Sequence, residues 1–190
     1  MKIAVISDIH DNFHNLVKVL KSIEVQEVEQ VIFLGDFINN GIAKILAKFS
    51  VPVFAIWGNN DGDKVMIIKT SLEDGSNLSI NDKAYDFVEF EGRKIFLTHY
   101  PDLAMPMAQS GKFDAVFYGH NHDKHQENVG ACLLLNPGEI SGHKNTEVSY
   151  AIYNTQTNDA EIISISDIVS VKTEEASEYI EKQGIKFRKD

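Results

Sequence analysis

Lys2-Ile3-Ala4-Val5-Ile6-Ser7-Asp8-Ile9-His10 is the stretch from which the rest of the chain can be read. Its continuous apolar run, Lys2 to Ser7, predicts a strand covered on both faces, as in parallel sheets. The run ends on a carboxylate and an imidazole two residues apart. In an extended segment such residues point the same way and can grip one cation. Further along, other strand-like stretches also end in residues able to bind metal. These are Gly35-Asp36, Gly58-Asn59-Asn60-Asp61, Thr98-His99 and Gly119-His120-Asn121-His122. Parallel strands that end on one sheet edge deliver their following loops to a common crevice. Asp8, His10, Asp36, Asn59, His99, His120 and His122 are therefore the candidate metal ligands. Asp36, standing free after a strand and a glycine, can bridge two ions. A mixed oxygen and nitrogen set suits Mn, Fe, Zn, Ni or Co better than Ca.

Each block alone is ordinary. A Gly-Asp after a strand is usually a turn, and a histidine at a strand end is usually a surface or hydrogen-bonded core residue. The conjunction carries the reading, because four of the seven histidines fall in these blocks. Other features read as structural. Asp61-Gly62-Asp63 lacks the spaced carboxylates of a calcium loop. Cys132 sits in the apolar run Ala131 to Leu135 and reads as buried packing. Trp57 fills the core below the site or lines its pocket. Asn12 caps the first helix or touches substrate.

The first sixty residues repeat β-then-α units. Strands are predicted at Lys2 to Ser7, Val31 to Leu34 and Val53 to Trp57. Phe13, Leu16, Val17, Leu20 and Ile23 mark a first helix. Ile42, Ile45, Leu46 and Phe49 mark a second, and Asp63 to Leu72 forms another. From Ser76 onward β-hairpins dominate: Tyr85 to Phe90 and Lys94 to Thr98 flank Glu91-Gly92-Arg93. A helical piece at Leu103 to Gln109 precedes Ala115 to Tyr118. Asp123 to Val129, Ala131 to Leu135, Val148 to Asn154 and Ala160 to Ile165 then read as strands. This mixture predicts an α/β protein with two sheets packed face to face and helices outside. Residues 1–165 form one domain. Residues 166–190 form a helical appendage, with Thr173 capping a helix from Glu174 to Gln183 that serves docking or self-association.

Bulk composition excludes several classes. The 190 residues, 43% apolar, suit a single globular core. A net charge of -10, from 18 basic and 28 acidic residues, argues against stable nucleic-acid binding and against docking on anionic membranes. No apolar run approaches the roughly 20 residues that span a bilayer. The single cysteine and the lack of a signal-peptide core point to a cytoplasmic protein.

The order Asp-x-His, Gly-Asp, Gly-Asn-x-Asp, a lone His, then Gly-His-x-His resembles the calcineurin-like metallophosphoesterase superfamily, in particular its small single-domain phosphodiesterases. The resemblance spans roughly residues 1 to 165. It implies a four-layer αββα sandwich with two mixed β-sheets. It also implies two divalent metal ions, Mn2+ foremost, with Ni2+, Fe2+, Zn2+ or Co2+ as alternatives. Asp8, His10, Asp36 and His122 would hold the first; Asp36, Asn59, His99 and His120 the second. Two such ions roughly 3.5–4 Å apart can share a hydroxide and clamp phosphoryl oxygens, so no protein nucleophile is required. Asp36, Asn59, Asn60 and His99 are the expected catalytic positions, and a small phosphate ester is the expected substrate. The alternatives are a phosphomonoesterase of the same fold and a non-catalytic interaction scaffold. Many members of the superfamily carry a proton-donating His at the position of Asn60. Asn is no acid near neutral pH, so substrates with good leaving groups are expected here. Asp61 and His14 are candidate substitute acids, but structural roles are expected for both: Asp61 capping the helix that follows, His14 on the outer turn of the first helix. Glu139 stands where relatives often have Ser. It either points away from the site or selects against highly charged substrates, and the first is expected. His125 and His143 read as surface residues.

Overall fold

The structure, a computed structural model, describes residues 1–145, 147–166 and 182. The elements run in the order β1 (Lys2–Ile6), α1 (Phe13–Glu24), β2 (Gln30–Phe33), α2 (Asn40–Ala47), β3 (Val53–Ala55), α3 (Lys64–Ser71), β4 (Leu78–Ile80), β5 (Tyr85–Phe90), β6 (Arg93–Thr98), α4 (Pro101–Gln109), β7 (Ala115–Phe117), β8 (Lys124–Val129), β9 (Cys132–Pro137), β10 (Val148–Asn154) and β11 (Asp159–Ile165). Short β4 is the one strand that the sequence pattern did not predict. The expected C-terminal helix, Glu174 to Gln183, falls almost wholly outside the described residues.

Two mixed sheets result. The six-stranded sheet has the order β11-β10-β1-β2-β3-β4 and the five-stranded sheet β5-β6-β7-β9-β8. β1 to β4 are mutually parallel, and β10 runs antiparallel to β1. In the second sheet β6, β7 and β9 are parallel.

Side-chain alternation along β1 explains the layers. Ile3 and Val5 join Ile32, Leu97, Phe117 and Tyr153 in the apolar layer between the sheets. Ala4 and Ile6 face the other way, against Leu16 and Leu20 of α1 and Leu46 of α2. On the far side, Phe96 and Val116 pack with Ala104 and Ala108 of α4. The stacking is helix, sheet, sheet, helix, as the resemblance implied. Helix starts follow from side-chain caps: Asn12 accepts a hydrogen bond from Asn15 N at 3.1 Å, and Asp63 accepts from Met66 N at 3.2 Å. Both orient loops that leave the same sheet edge.

Cys132 lies in β9, 2% exposed, within the α4 layer. Burial, aided by Asp114, pushes its thiol up to about 11. At pH 8 only about one thiol in a thousand would then be ionised. Iodoacetamide should leave the native chain unmodified at pH 8 and alkylate it fully once denatured, as read by intact mass; native labelling at the denatured rate would contradict this placement.

Candidate metal centre

Every candidate ligand follows the C-terminal end of a parallel strand. Asp8 and His10 follow β1, Asp36 follows β2, and Asn59 follows β3. In the facing sheet His99 follows β6, while His120 and His122 follow β7. The two sheets thus bring residues from both halves of the chain to one edge, and all seven meet there.

They form two clusters around one carboxylate. In the first, Nε2 of His10 and Nε2 of His122 lie 3.3 Å apart, and His122 Nε2 lies 3.4 Å from Asp8 Oδ1. In the second, Asn59 Oδ1 is 2.9 Å from His99 Nε2 and 2.7 Å from His120 Nδ1, and the two imidazole nitrogens are 3.3 Å apart. Asp36 stands between them, with Oδ2 at 3.6 Å from His10 Nε2 and Oδ1 at 3.5 Å from His99 Nε2. Asp8, His10 and His122 can hold one ion, and Asp8, Asp36 and His99 also offer a converging triad.

The donor set fits a cation on local grounds. Asp8 Oδ2 accepts from Ser7 Oγ at 2.7 Å and from His120 N at 3.0 Å, but its buried Oδ1 has no hydrogen-bond donor. Such an orphaned acceptor is costly unless something positive meets it. His99 Nδ1 faces the carbonyl oxygen of Leu34 at 2.8 Å and must donate to it, so Nε2 turns a lone pair inward. Imidazole nitrogens and carboxylate and amide oxygens crowded this closely fit a cation's coordination sphere once His122 yields its Nε2 proton.

The backbone is bent to reach this arrangement. Five of the seven residues have positive φ: Asp8 52°, His10 52°, Asp36 69°, His120 76° and His122 65°. Residues other than glycine adopt that region at a cost, and such conformations cluster at functional sites. Gly58 shows how tightly the loops meet, because a Cβ there would fall on Asp36 Oδ1 and lie 2.7 Å from Asp36 N.

The neighbouring residues take definite roles. Asn60 donates from its backbone N to Asp36 Oδ1 at 2.8 Å and from Nδ2 to Oδ2 at 3.3 Å, gripping the central carboxylate. Asp61 does not cap α3, which Asp63 does. Instead its carboxylate accepts from Phe37 N at 2.7 Å and from Gly58 N, tying two ligand loops together. Trp57 packs in the core beside Phe37, with ring centroids 5.7 Å apart. Asn12, besides its capping role, donates to the Ser141 carbonyl at 2.8 Å. The expectation for Glu139 was wrong. Its side chain is 1% exposed and meets His122 Nδ1 at 2.8 Å, because backbone amides of the following loop draw it inward. His143 is exposed, yet its ring lies 4.9 Å from that of His10. Its place in the order of the chain gave no sign of this.

Electrostatics follow the same geometry. The carboxylates of Asp8 and Glu139 raise His122 to about 10. Burial holds His10 below the ordinary imidazole value, against the opposing pull of Asp36 and Asp8. Asp8, despite the opposing effect of burial, is held below the ordinary carboxylate range by His122, His99 and Ser7.

Comparison with known proteins agrees with this architecture. The description of the calcineurin-like phosphoesterase superfamily domain matches residues 1–158. A phosphodiesterase of Methanocaldococcus jannaschii is 35% identical over 160 residues, covering 82% of this chain and 94% of the relative. Among solved structures, an archaeal phosphodiesterase is 30% identical with a TM-score of 0.79, covering 87% of this chain and 100% of its own. The E. coli phosphoesterase Yfce has a TM-score of 0.64 at 23% identity, covering 87% of this chain and 99% of its own. A Vps29 single mutant from Entamoeba histolytica has a TM-score of 0.61 at 16% identity, covering 87% and 98%. These last two share the fold. The chain is a four-layer α/β protein with its ligand cluster at the sheet edge, and it belongs to the calcineurin-like phosphoesterase superfamily.

Two outcomes are expected. Gly58→Ala should push Asp36 off its position, lowering stability by about 1–3 kcal/mol and abolishing divalent-metal retention; a thermal melt and metal analysis read both, and wild-type retention would contradict the packing. Metal affinity should also rise with pH. Below about pH 10 a cation must displace the proton on His122, so affinity should climb by up to about tenfold per pH unit and flatten above it. Calorimetry in buffers of different ionisation enthalpy measures the released proton; pH-independent affinity between pH 6 and 8 would contradict the assignment.

Proposed function

We propose that this chain is a metal-dependent phosphodiesterase. One observation carries the reading: the Asp36 carboxylate stands between two ligand clusters, each with an imidazole Nε2 within 3.6 Å of one of its oxygens. Asp8, His10, His122 and Asp36 Oδ2 would hold one divalent cation. Asp36 Oδ1, Asn59, His99 and His120 would hold the other. Such a pair supplies Lewis acidity toward phosphoryl oxygens and an activated water as nucleophile.

The chain's own residues set what else can happen. Asn60 fixes both oxygens of Asp36 and cannot donate a proton at neutral pH, so departure of the leaving group depends on the leaving group's own acidity. Asp61 is committed to two backbone amides and His99 to the Leu34 carbonyl, so neither is free to protonate it. The chain has two arginines, Arg93 and Arg188. Arg93 opens β6, at the end of that strand opposite His99, and is bound to Asp114 and to the carbonyls of Thr155 and Gln156. Among the described residues no guanidinium therefore faces the cluster to take the extra charge of a terminal phosphate. A diester, with one negative charge fewer, suits that setting. The name of the Methanocaldococcus jannaschii relative points the same way.

Manganese is the expected metal on the family resemblance; the mixed oxygen and nitrogen ligands suit Fe, Zn, Ni and Co as well. The single cysteine supports a cytoplasmic setting. No helix among the described residues is long and apolar enough to cross a membrane. Self-association is expected through residues 166–190, which lie almost wholly outside the described residues.

With Mn2+ added, the purified protein should hydrolyse aryl phosphodiesters faster than the matching monoesters, with a rate that falls steeply as leaving-group pKa rises. Asp36→Asn should lower turnover by more than about a hundredfold, since losing even an outer contact to a ligand costs about 10–100-fold. Monoester preference would refute the substrate class, and unchanged turnover in the variant would refute the bridging role.

A further inference from the structure

Outside the seven ligands, the most heavily engaged polar group at this edge is the buried carboxylate of Glu139, which follows β9. It receives six hydrogen bonds. Oε2 accepts from His122 Nδ1 at 2.8 Å, from Ser141 Oγ and from His143 N at 3.0 Å. Oε1 accepts from Lys144 N and Asn145 N, each at 2.8 Å, and from Asn145 Nδ2 at 3.1 Å. An ionised carboxylate can only accept, so the hydrogen shared with His122 belongs to the imidazole.

The consequence for His122 is geometric. A hydrogen fixed on Nδ1 leaves Nε2 as the nitrogen that turns toward Asp8 and His10, at 3.4 and 3.3 Å. His99 is oriented by the same device with a different acceptor, the neutral carbonyl of Leu34. The loop beyond Glu139 is bound into the arrangement as well. Asn145 Nδ2 reaches the His122 carbonyl at 2.9 Å, and Asn15 Nδ2 of α1 holds the Ile140 carbonyl at 3.0 Å. The same loop carries the exposed His143 to within 4.9 Å of the His10 ring.

We propose that Glu139 is a positioning residue for the first cation: it keeps the hydrogen of His122 on Nδ1, presents Nε2 to the ion, and couples that imidazole to the 139–145 loop. An outer carboxylate that fixes the tautomer of a ligating histidine also strengthens the imidazole as a donor. This rests on the metal-centre reading above and deepens it. A carboxylate serving only as a loop anchor would need the loop amides and the Ser141 hydroxyl but not the imidazole.

The test starts with the wild-type chain stripped of metal. Long-range proton–nitrogen NMR correlations should show a hydrogen on His122 Nδ1 protected from exchange. A bare Nδ1 would overturn the proposal, whatever the chain hydrolyses. Calorimetric titration with Zn2+ should then fill two sites in the wild type. Glu139→Gln should weaken one of them by about 10–100-fold and leave the other unchanged. Ser141→Ala, which removes one loop bond to the same carboxylate without touching His122, should keep both. No loss in folded Glu139→Gln, or an equal loss in Ser141→Ala, would overturn the positioning role. A wild-type chain that takes up no Zn2+ would instead refute the metal-centre reading, and the Nδ1 measurement would still decide whether Glu139 fixes the imidazole.

Discussion

The structure depends on holding carboxylates of like charge, buried, at the meeting edge of two sheets. Asp8, Asp36 and Glu139 are all at most 1% exposed. Burying a carboxylate is costly unless its oxygens are met by donors or positive charge. Glu139 is met six times and Asp36 is gripped by Asn60, but one oxygen of Asp8 is left without a donor. The deficit is local and points toward His122, where a cation would sit. These buried carboxylates therefore make the edge selective for positive charge.

Scaffold rigidity makes that arrangement sustainable. Left-handed backbone at five non-glycine candidate ligands costs on the order of 1 kcal/mol or more apiece. The packed layers behind offset that cost. Strands β1, β2 and β3 on one side, and β6 and β7 on the other, enclose Ile3, Val5, Ile32, Ile95 and Phe117, all fully buried. Because these strands end at the same edge, small shifts between the sheets would separate Asp36 from His99 or Asp8 from His122. Bonds between the sheets counter such shifts: His120 N donates to Asp8 Oδ2 and His99 Nδ1 to the Leu34 carbonyl, while Asp61 ties the loops after β2 and β3 within one sheet.

This division explains which features could be read from sequence. The continuous apolar run before Asp8 announces a covered parallel strand, and repeating it before Asp36, Asn59, His99 and His120 locates the cluster without any coordinates. The hairpin at Glu91-Gly92 was legible because a two-residue turn with positive φ at both positions, 48° and 79°, favours glycine. β4 escaped notice because its three residues, Leu78-Ser79-Ile80, are too few to show a period. Long-range partners escaped for another reason. Asp61 resembles a helix cap until the Phe37 amide is brought beside it, and Asp63 two residues on does the capping. Glu139 looks like an exposed loop acid until the loop closes and aims its amides at it. Local chemistry names what a side chain can do, whereas the packing of distant segments decides which of those things it does.

The two halves of the centre differ in a way that only this packing reveals. His99 is oriented by a neutral carbonyl, whereas His122 is oriented by a carboxylate. Asn59, His99 and His120 add no formal negative charge to the second half, which shares Asp36 alone. Asp8 and Glu139 both lie against His122, so the first half carries the greater negative charge. Coulomb's law makes this difference matter most where water is excluded, and Asp8 and Glu139 are both buried. A dication would accordingly be held more strongly on the His122 side than on the His99 side, leaving the ion beside Asn59 and the exposed His120 more readily exchanged.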